Sequence, residues 1–231
     1  MRKAILIIAL LLLTGGVSVV FYPHAQQMLY RRYADNVIAA FEERVEYHRA
    51  ESEGGSLHWL YQLMVEYNAV LYQSRQSDLI DSFAYSQLNF SLREFGFEEE
   101  MIGFITIPRM NVRLPIFLGA NDPNMLRGAA HMTQTSLPVG GENHNTVIAA
   151  HRGMSTAAMF RDIELLQTGD EIIITNFYQS IVYEVVKTQV VMPTQVNAIL
   201  IQSGRDLVTL VTCHPYRLNY QRYLVFAQRV N

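Results

Sequence analysis

The chain has 231 residues, of which 50% are hydrophobic and 17% charged, with 18 basic and 21 acidic side chains. This apolar content excludes a disordered chain, and a net charge of −3 with no basic run longer than two residues argues against a nucleic-acid binder. The single cysteine excludes an intrachain disulfide and a cysteine-rich metal site, and we expect neither a metal nor another cofactor.

The N-terminus carries an apolar run over residues 4–21, preceded by Arg2 and Lys3. Eighteen residues at about 1.5 Å each give a helix of about 27 Å, close to the thickness of a hydrocarbon core. We therefore predict a single-pass membrane anchor over residues 1–22, with its basic end in the cytoplasm. The alternative is a cleaved signal peptide, and we favour the uncleaved anchor because no clean small-x-small cleavage site precedes Pro23. Both interpretations place the remaining chain outside the cytoplasm.

Residues 23–75 are predicted to form an extracytoplasmic helical hairpin, because two amphipathic segments flank a break rich in glycine and glutamate. The apolar faces contain Leu29, Tyr33, Val37, Phe41 and Val45, then Leu57, Leu60, Tyr61, Met64, Tyr67 and Leu71. We expect the hairpin to pack against the main domain. Residues 76–100 are polar and lack a strong periodicity, which is typical of a linker or a lid.

The main domain is predicted over residues 101–231, where short β-like runs replace the helical pattern. The runs cover 102–107, 112–116, 146–150, 171–175, 181–188, 207–212 and 222–229. Short helical pieces are predicted near 124–129, 156–163 and 196–201. Many short strands with few helices indicate a mainly β domain, built as a closed barrel or a sandwich.

Cys213 is the first candidate for chemistry, because it follows the apolar run 207–212 and precedes His214 and a proline. A strand that stops at a proline presents its last side chain at a sheet edge, where a substrate reaches it. Free cysteine is most often a buried structural thiol. In an oxidising compartment, however, a lone thiol is a liability unless it is buried or used.

A nucleophilic cysteine needs a partner that handles protons, and histidine is the usual choice. His214 is adjacent to Cys213, and neighbours on a strand point to opposite faces, so we do not expect His214 to be the base. His151 follows another apolar strand and so stands at a second strand end, as a catalytic group would. The residues alone leave the choice between His131 and His151 open.

Acyl transfer also needs a group that holds the developing oxyanion. Arg222 lies nine residues after Cys213 and opens the last predicted strand. The two strand ends come close if residues 215–221 form a hairpin loop. Arg217 is the competing arginine, and it lies within that loop.

Three motifs in this order resemble those of sortases, the cysteine transpeptidases of Gram-positive cell surfaces. Residues 209–213 (TLVTC) are similar to the TLxTC signature, and residues 150–153 (AHRG) resemble the histidine motif. Arg222 matches the family's arginine by its spacing from the cysteine. Residues 136–153 look most like class C, the pilin-polymerising sortases, and the similarity covers about residues 78–231. The resemblance implies a closed eight-stranded sortase-type β-barrel after the anchor and the hairpin.

The resemblance also implies roles for individual side chains. Cys213 would attack the Thr–Gly carbonyl of an LPxTG-like sorting signal on a pilin or surface protein. His151 would serve as general acid and then general base, Arg222 would stabilise the oxyanion, and Thr212 would contact the substrate. A lysine amine of another pilin subunit would then resolve the thioester. The alternatives are a housekeeping or class D-like sortase that attaches proteins to peptidoglycan, and a non-catalytic membrane-anchored scaffold.

Class C sortases carry a lid with an Asp-Pro-aromatic anchor, and residues 79–83 (LIDSF) resemble it. Asp81 would pair with Arg222, and Phe83 would cover the sulfur of Cys213. Ser82 stands where the family has proline, so the anchor is expected to be less rigid, because proline fixes φ. The alternative is an ordinary surface loop.

Overall fold

A computed structural model describes residues 2–51, 55–77, 79 and 91–230. Two helices, α1 (Arg2–Glu51) and α2 (Ser56–Gln73), come first, and a short helix α3 (Asp122–Arg127) lies within the barrel domain. The eight strands are β1 (Met101–Ile107), β2 (Val112–Leu118), β3 (Ala129–His131), β4 (His144–Ala149), β5 (Glu171–Asn176), β6 (Ser180–Val191), β7 (Asp206–His214) and β8 (Gln221–Arg229). Single 3₁₀ turns occupy Leu92–Phe95, Pro108–Met110, Ile163–Leu165 and Val196–Ile199.

The eight strands close into one barrel in the order β1-β2-β3-β4-β7-β8-β6-β5. The pairs β2–β3 and β4–β7 are parallel, and the other pairs are antiparallel. This confirms the predicted fold class, and closure leaves no free sheet edge. Only β3 was missed among the described strands, because three residues are too few to show an alternating pattern.

Strands β4 and β7 are buried on both faces, which explains why their sequences are continuously apolar rather than alternating. Ile148 and Leu210 belong to the large core cluster. Val147 and Val211 point the other way, into a second cluster closed by residues 196–200. Both strands are therefore held firmly up to their carboxyl ends.

The hairpin packs against the barrel, as expected, but the buried stripe of α1 is Ala34, Ile38, Phe41 and Val45. The predicted stripe stepped by four residues throughout, and that spacing drifts around a helix with 3.6 residues per turn. Leu29 is accordingly 58% exposed. In α2, the buried Asn68 side chain accepts from the Leu137 amide at 2.7 Å and donates to its carbonyl at 3.0 Å.

The N-terminal part of α1 is long and apolar enough to cross a membrane, with a mean hydropathy of 2.7 in its most apolar window and none of that window buried. The helix runs through Pro23 without interruption. The predicted division between residues 22 and 23 is therefore a change of composition along one helix, not a break. The direction in which the helix crosses the membrane stays a prediction.

Candidate active site

Two parallel strands bring the candidate histidine and cysteine to one rim of the barrel. Ala149 at the end of β4 pairs with Val211 in β7. His151 and Cys213 each lie two residues beyond that pair, so the continued register places them side by side. On the other side of β7, Cys213 pairs directly with Arg222 of the antiparallel β8. Side chains that pair directly across antiparallel strands point to the same face.

Thr212 ties the two strand ends together. Its hydroxyl donates to the carbonyl of Ala150 at 2.7 Å, and the amide of Ala150 donates to the carbonyl of Val211 at 3.2 Å. Thr212 is 2% exposed, so its hydroxyl bonds to protein rather than to solvent. This bond extends the β4–β7 ladder to the residues just before His151 and Cys213. The predicted substrate contact of Thr212 stays a prediction.

A surface groove of about 580 Å³ opens at this rim, and both His151 and Cys213 line it. The thiol is partly exposed, so the groove gives a substrate access to the sulfur. The remaining lining residues come from the segment between β4 and β5, from the β7–β8 loop and from α1: Arg152, Gly153, Met154, Ser155, Arg161, Tyr216, Arg217, Leu218, Asn219, Pro23 and Gln27.

The structure separates the two histidines that the residues alone left open. His131 is completely buried in β3, where its Nε2 lies 3.2 Å from the Thr135 carbonyl and 3.1 Å from the Ser136 carbonyl. Burial lowers the pKa of His131 to about 4. Since no part of His131 reaches solvent, it has no access to the groove. His151 is the histidine that the geometry places beside Cys213.

His151 is half-buried, and this burial lowers its pKa below the ordinary value, while the negative charge of Asp122 acts in the opposite direction. The lowered pKa favours the neutral imidazole, which is able to accept a proton. Asp122 is the first residue of α3, far from His151 in sequence, and no sequence signal connects the two.

Both candidate arginines stand at the rim. Arg217 lines the groove from the β7–β8 loop, with a positive φ of 65°. Arg222 lies opposite Cys213, and its Nη1 donates to the carbonyls of Asn219 at 2.7 Å and Gln221 at 2.9 Å. These bonds hold the Arg222 guanidinium at the base of the loop.

Arg152 supports the end of β7 and was not recognised as a functional residue from the sequence. It is 6% exposed, and its Nη1 donates to the Cys213 carbonyl at 3.3 Å and to His214 Nδ1 at 2.8 Å. Its Nη2 lies 2.7 Å from a carboxylate oxygen of Glu164. The available signal was its position directly after the strand-end histidine. His214 takes part in this cluster on the side of the strand away from the thiol.

Asp81, Ser82 and Phe83 lie outside the described residues, so the predicted lid stays a prediction. Within the described parts of the chain, no group of three or more His, Cys, Asp or Glu side chains is placed to hold a metal ion.

Comparison with known proteins connects this site to a family. The Sortase domain family matches residues 105–230. The sortase D of Bacillus subtilis is 29% identical over 133 residues. These residues cover 55% of this chain and 63% of that protein, which is less than two thirds of its length. Among solved structures, the sortase C1 of GBS pilus island 1 has 31% identity and a TM-score of 0.75, covering 86% of this chain and 92% of that one. The sortase C of Streptococcus pneumoniae has 32% identity and a TM-score of 0.73, and the match covers 85% of this chain and 97% of that one.

Proposed function

The chain belongs to the sortase family of cysteine transpeptidases, and from that premise we propose that it cleaves an LPxTG-like sorting signal and joins the acyl product to a lysine amine of another pilin subunit. The observation that carries the proposal is the shared groove, which contains Cys213 and His151 and lies beside Arg222. The likeness to class C structures, one from a pilus island and one described by its pilin substrate specificity, supports the choice of pilins.

The first half-reaction forms a thioester. His151 first takes the proton of the Cys213 thiol. The resulting thiolate attacks the carbonyl carbon of the Thr–Gly bond, and the carbonyl oxygen becomes a tetrahedral oxyanion. His151, protonated at this stage, gives its proton to the departing glycine nitrogen as the C–N bond breaks. The products are a Cys213 thioester of the threonine and a released peptide with a free amine.

The second half-reaction transfers the acyl group. The neutral His151 takes a proton from the incoming lysine amine, which attacks the thioester carbonyl. The carbon–sulfur bond then breaks, and the Cys213 thiolate is regenerated beside the protonated His151. The new bond is an isopeptide between threonine and lysine.

Arg222 is the proposed oxyanion-binding group in both half-reactions. It pairs directly with Cys213, so its side chain lies on the same face of the sheet as the sulfur. Its Nη1 is already held by two backbone carbonyls, which orients the guanidinium before substrate binds. Such preorganised donors lower the barrier because little reorganisation is needed when the charge develops.

The proposed setting is a single-pass membrane protein. Its anchor covers residues 1–22, its helical hairpin residues 23–75, its linker and lid residues 76–100, and its catalytic barrel residues 101–231. The apolar N-terminal half of α1 supports the anchor. The proposed lid places Asp81 near Arg222 and Phe83 over the sulfur, which protects an extracytoplasmic thiolate from oxidation.

A second candidate function is attachment of surface proteins to peptidoglycan, and the match to the Bacillus subtilis sortase D favours it. The first half-reaction is the same in both cases, and only the accepting amine differs. The full chain in detergent, incubated with candidate pilins, is expected to produce a ladder of covalent products on a denaturing gel. Cys213→Ala is expected to give no ladder.

Adding cell-wall fragments that carry a free amine distinguishes the two acceptors. If these fragments consume the acyl product while pilins form no ladder, the pilin proposal is wrong and peptidoglycan attachment is right. A Cys213 thiol that no thiol-reactive probe labels would instead support the non-catalytic scaffold.

A further inference from the structure

The loop between β7 and β8, residues 215–221, carries an unusual set of exposed side chains. Tyr216 is 45% exposed, and Leu218 and Tyr220 are each 56% exposed. The loop also contains Arg217 and no acidic residue. Tyrosines with an aliphatic side chain and a long basic one are typical of segments that lie at a membrane–water interface.

The loop is in direct continuity with the apolar helix. Pro23 and Gln27 of α1 line the same groove as Tyr216 and Leu218. Along α1, Pro23 lies about 3 Å and Gln27 about 9 Å beyond Phe21, the last residue of the apolar run. The headgroup layer on each side of a hydrocarbon core is about 5–7 Å thick. Pro23 therefore falls within that layer and Gln27 just above it, and any tilt of α1 brings both closer to the bilayer.

The opposite rim of the barrel lies far from this level. Arg49, near the end of α1, donates from Nη2 to the Phe177 carbonyl at 3.2 Å, at the turn between β5 and β6. Arg49 is 22 residues beyond Gln27, or about 33 Å along the helix. The amide of Val230, which follows β8, donates to the Val182 carbonyl beside the same turn. The axis of α1 thus runs from the rim that carries Cys213 to the rim that carries Val230.

We propose that residues 215–221 rest in the lipid headgroup layer, so that the barrel contacts the membrane at a second point besides α1. The inference relies on the proposed anchor and goes beyond the proposed reaction. The groove then opens along the bilayer surface, and a sorting signal reaches Cys213 when it is held close to that surface. The two tyrosines place their rings at headgroup level with their hydroxyls toward water, while the Leu218 side chain points deeper.

The test uses tryptophan fluorescence and does not depend on catalysis. Trp59 is the chain's one tryptophan, and it is 68% exposed on α2. In a Trp59→Phe background, Leu218→Trp reports the loop, and Val230→Trp reports the far rim, where the native side chain is also exposed, at 45%. Each full-length variant is placed in phosphatidylcholine nanodiscs, with and without bromine on the upper acyl carbons.

Brominated lipid is expected to quench the tryptophan at 218 by about half or more, because interfacial apolar groups lie about 5–10 Å into the headgroup and acyl boundary. The tryptophan at 230 is expected to keep its intensity. Equal quenching at the two positions, or none at 218, would overturn the proposal. Tyr220→Trp repeats the measurement if Leu218→Trp does not fold.

A third variant separates this inference from the anchor. Leu12→Trp lies in the middle of the apolar run and, in nanodiscs brominated on the lower acyl carbons, reports whether α1 enters the bilayer. Quenching at 12 without quenching at 218 leaves the anchor intact and rejects the docking of the loop. No quenching at 12 rejects both. Neither result bears on the transpeptidase reaction, which the thiol and the pilin assays measure separately.

Discussion

Thr212→Val tests whether the hydrogen bond between the two strand ends keeps His151 and Cys213 in register. The substitution keeps the side chain's shape and removes the hydroxyl that donates to Ala150 at 2.7 Å. Losing a buried hydrogen bond and leaving its acceptor unpaired costs about 1–2 kcal/mol. In a chain of this size each kcal/mol lowers Tm by about 2–4 °C. Displacing a catalytic group by a fraction of an ångström is expected to lower kcat about 10- to 100-fold.

Thr209→Val is a closely matched control on the same strand. Thr209 is also buried, and its hydroxyl donates to Asn145 at 2.7 Å, but this bond lies away from the groove. Both variants are expected to lose similar stability in thermal unfolding of the full chain in detergent. With a fluorogenic LPxTG-like peptide, only Thr212→Val is expected to lose kcat. Equal kcat in the two variants, or a rise in KM alone for Thr212→Val, would refute the reasoning, and the KM effect would indicate a substrate contact.

Three further predictions concern the groove and the core. Arg152→Met removes charge-assisted bonds to the end of β7, so we expect a stability loss of about 2–3 kcal/mol in urea unfolding and a fall in kcat with little change in KM. Neutral His131 is protonated on unfolding, so stability should fall by about 3 kcal/mol as pH drops from 6.5 to its folded pKa of about 4. His131→Gln should flatten the Tm profile over that range; an unchanged slope would contradict this. His151→Asn should change the pH dependence of Cys213 labelling by a thiol probe, whereas His144→Asn, at the other end of β4, should not.

The fold was accessible from the sequence because most strands are long enough to show their pattern. Strand β3 spans only three residues, so its pattern was too short to be recognised in the sequence. The face of α1 was predicted only in part, since a strict step of four does not follow a real helix over several turns. The roles of Cys213 and Arg222 could be hypothesised because a short hairpin joins their strands, so sequence distance approximates distance in space.

The choice of histidine shows where local sequence stops being informative. His131 and His151 are each preceded by two alanines, so their immediate N-terminal neighbours are identical. His131 lies inside the barrel in β3, whereas the parallel pairing of β4 with β7 brings His151 to the groove beside Cys213. That pairing joins segments about sixty residues apart, and no local pattern encodes its register. The contacts of Arg152 with the end of β7 depend on the same pairing.

The mass of the acyl-enzyme shows most directly whether Cys213 is the nucleophile of a transpeptidase. The full chain is mixed with an LPxTG-like peptide in the absence of an acceptor amine and analysed as an intact protein. We expect an adduct equal to the peptide up to its threonine, mapped to Cys213 and discharged when a lysine-containing pilin is added. An adduct on Cys213→Ala, or none on the parent chain while its thiol remains reactive, would contradict this expectation.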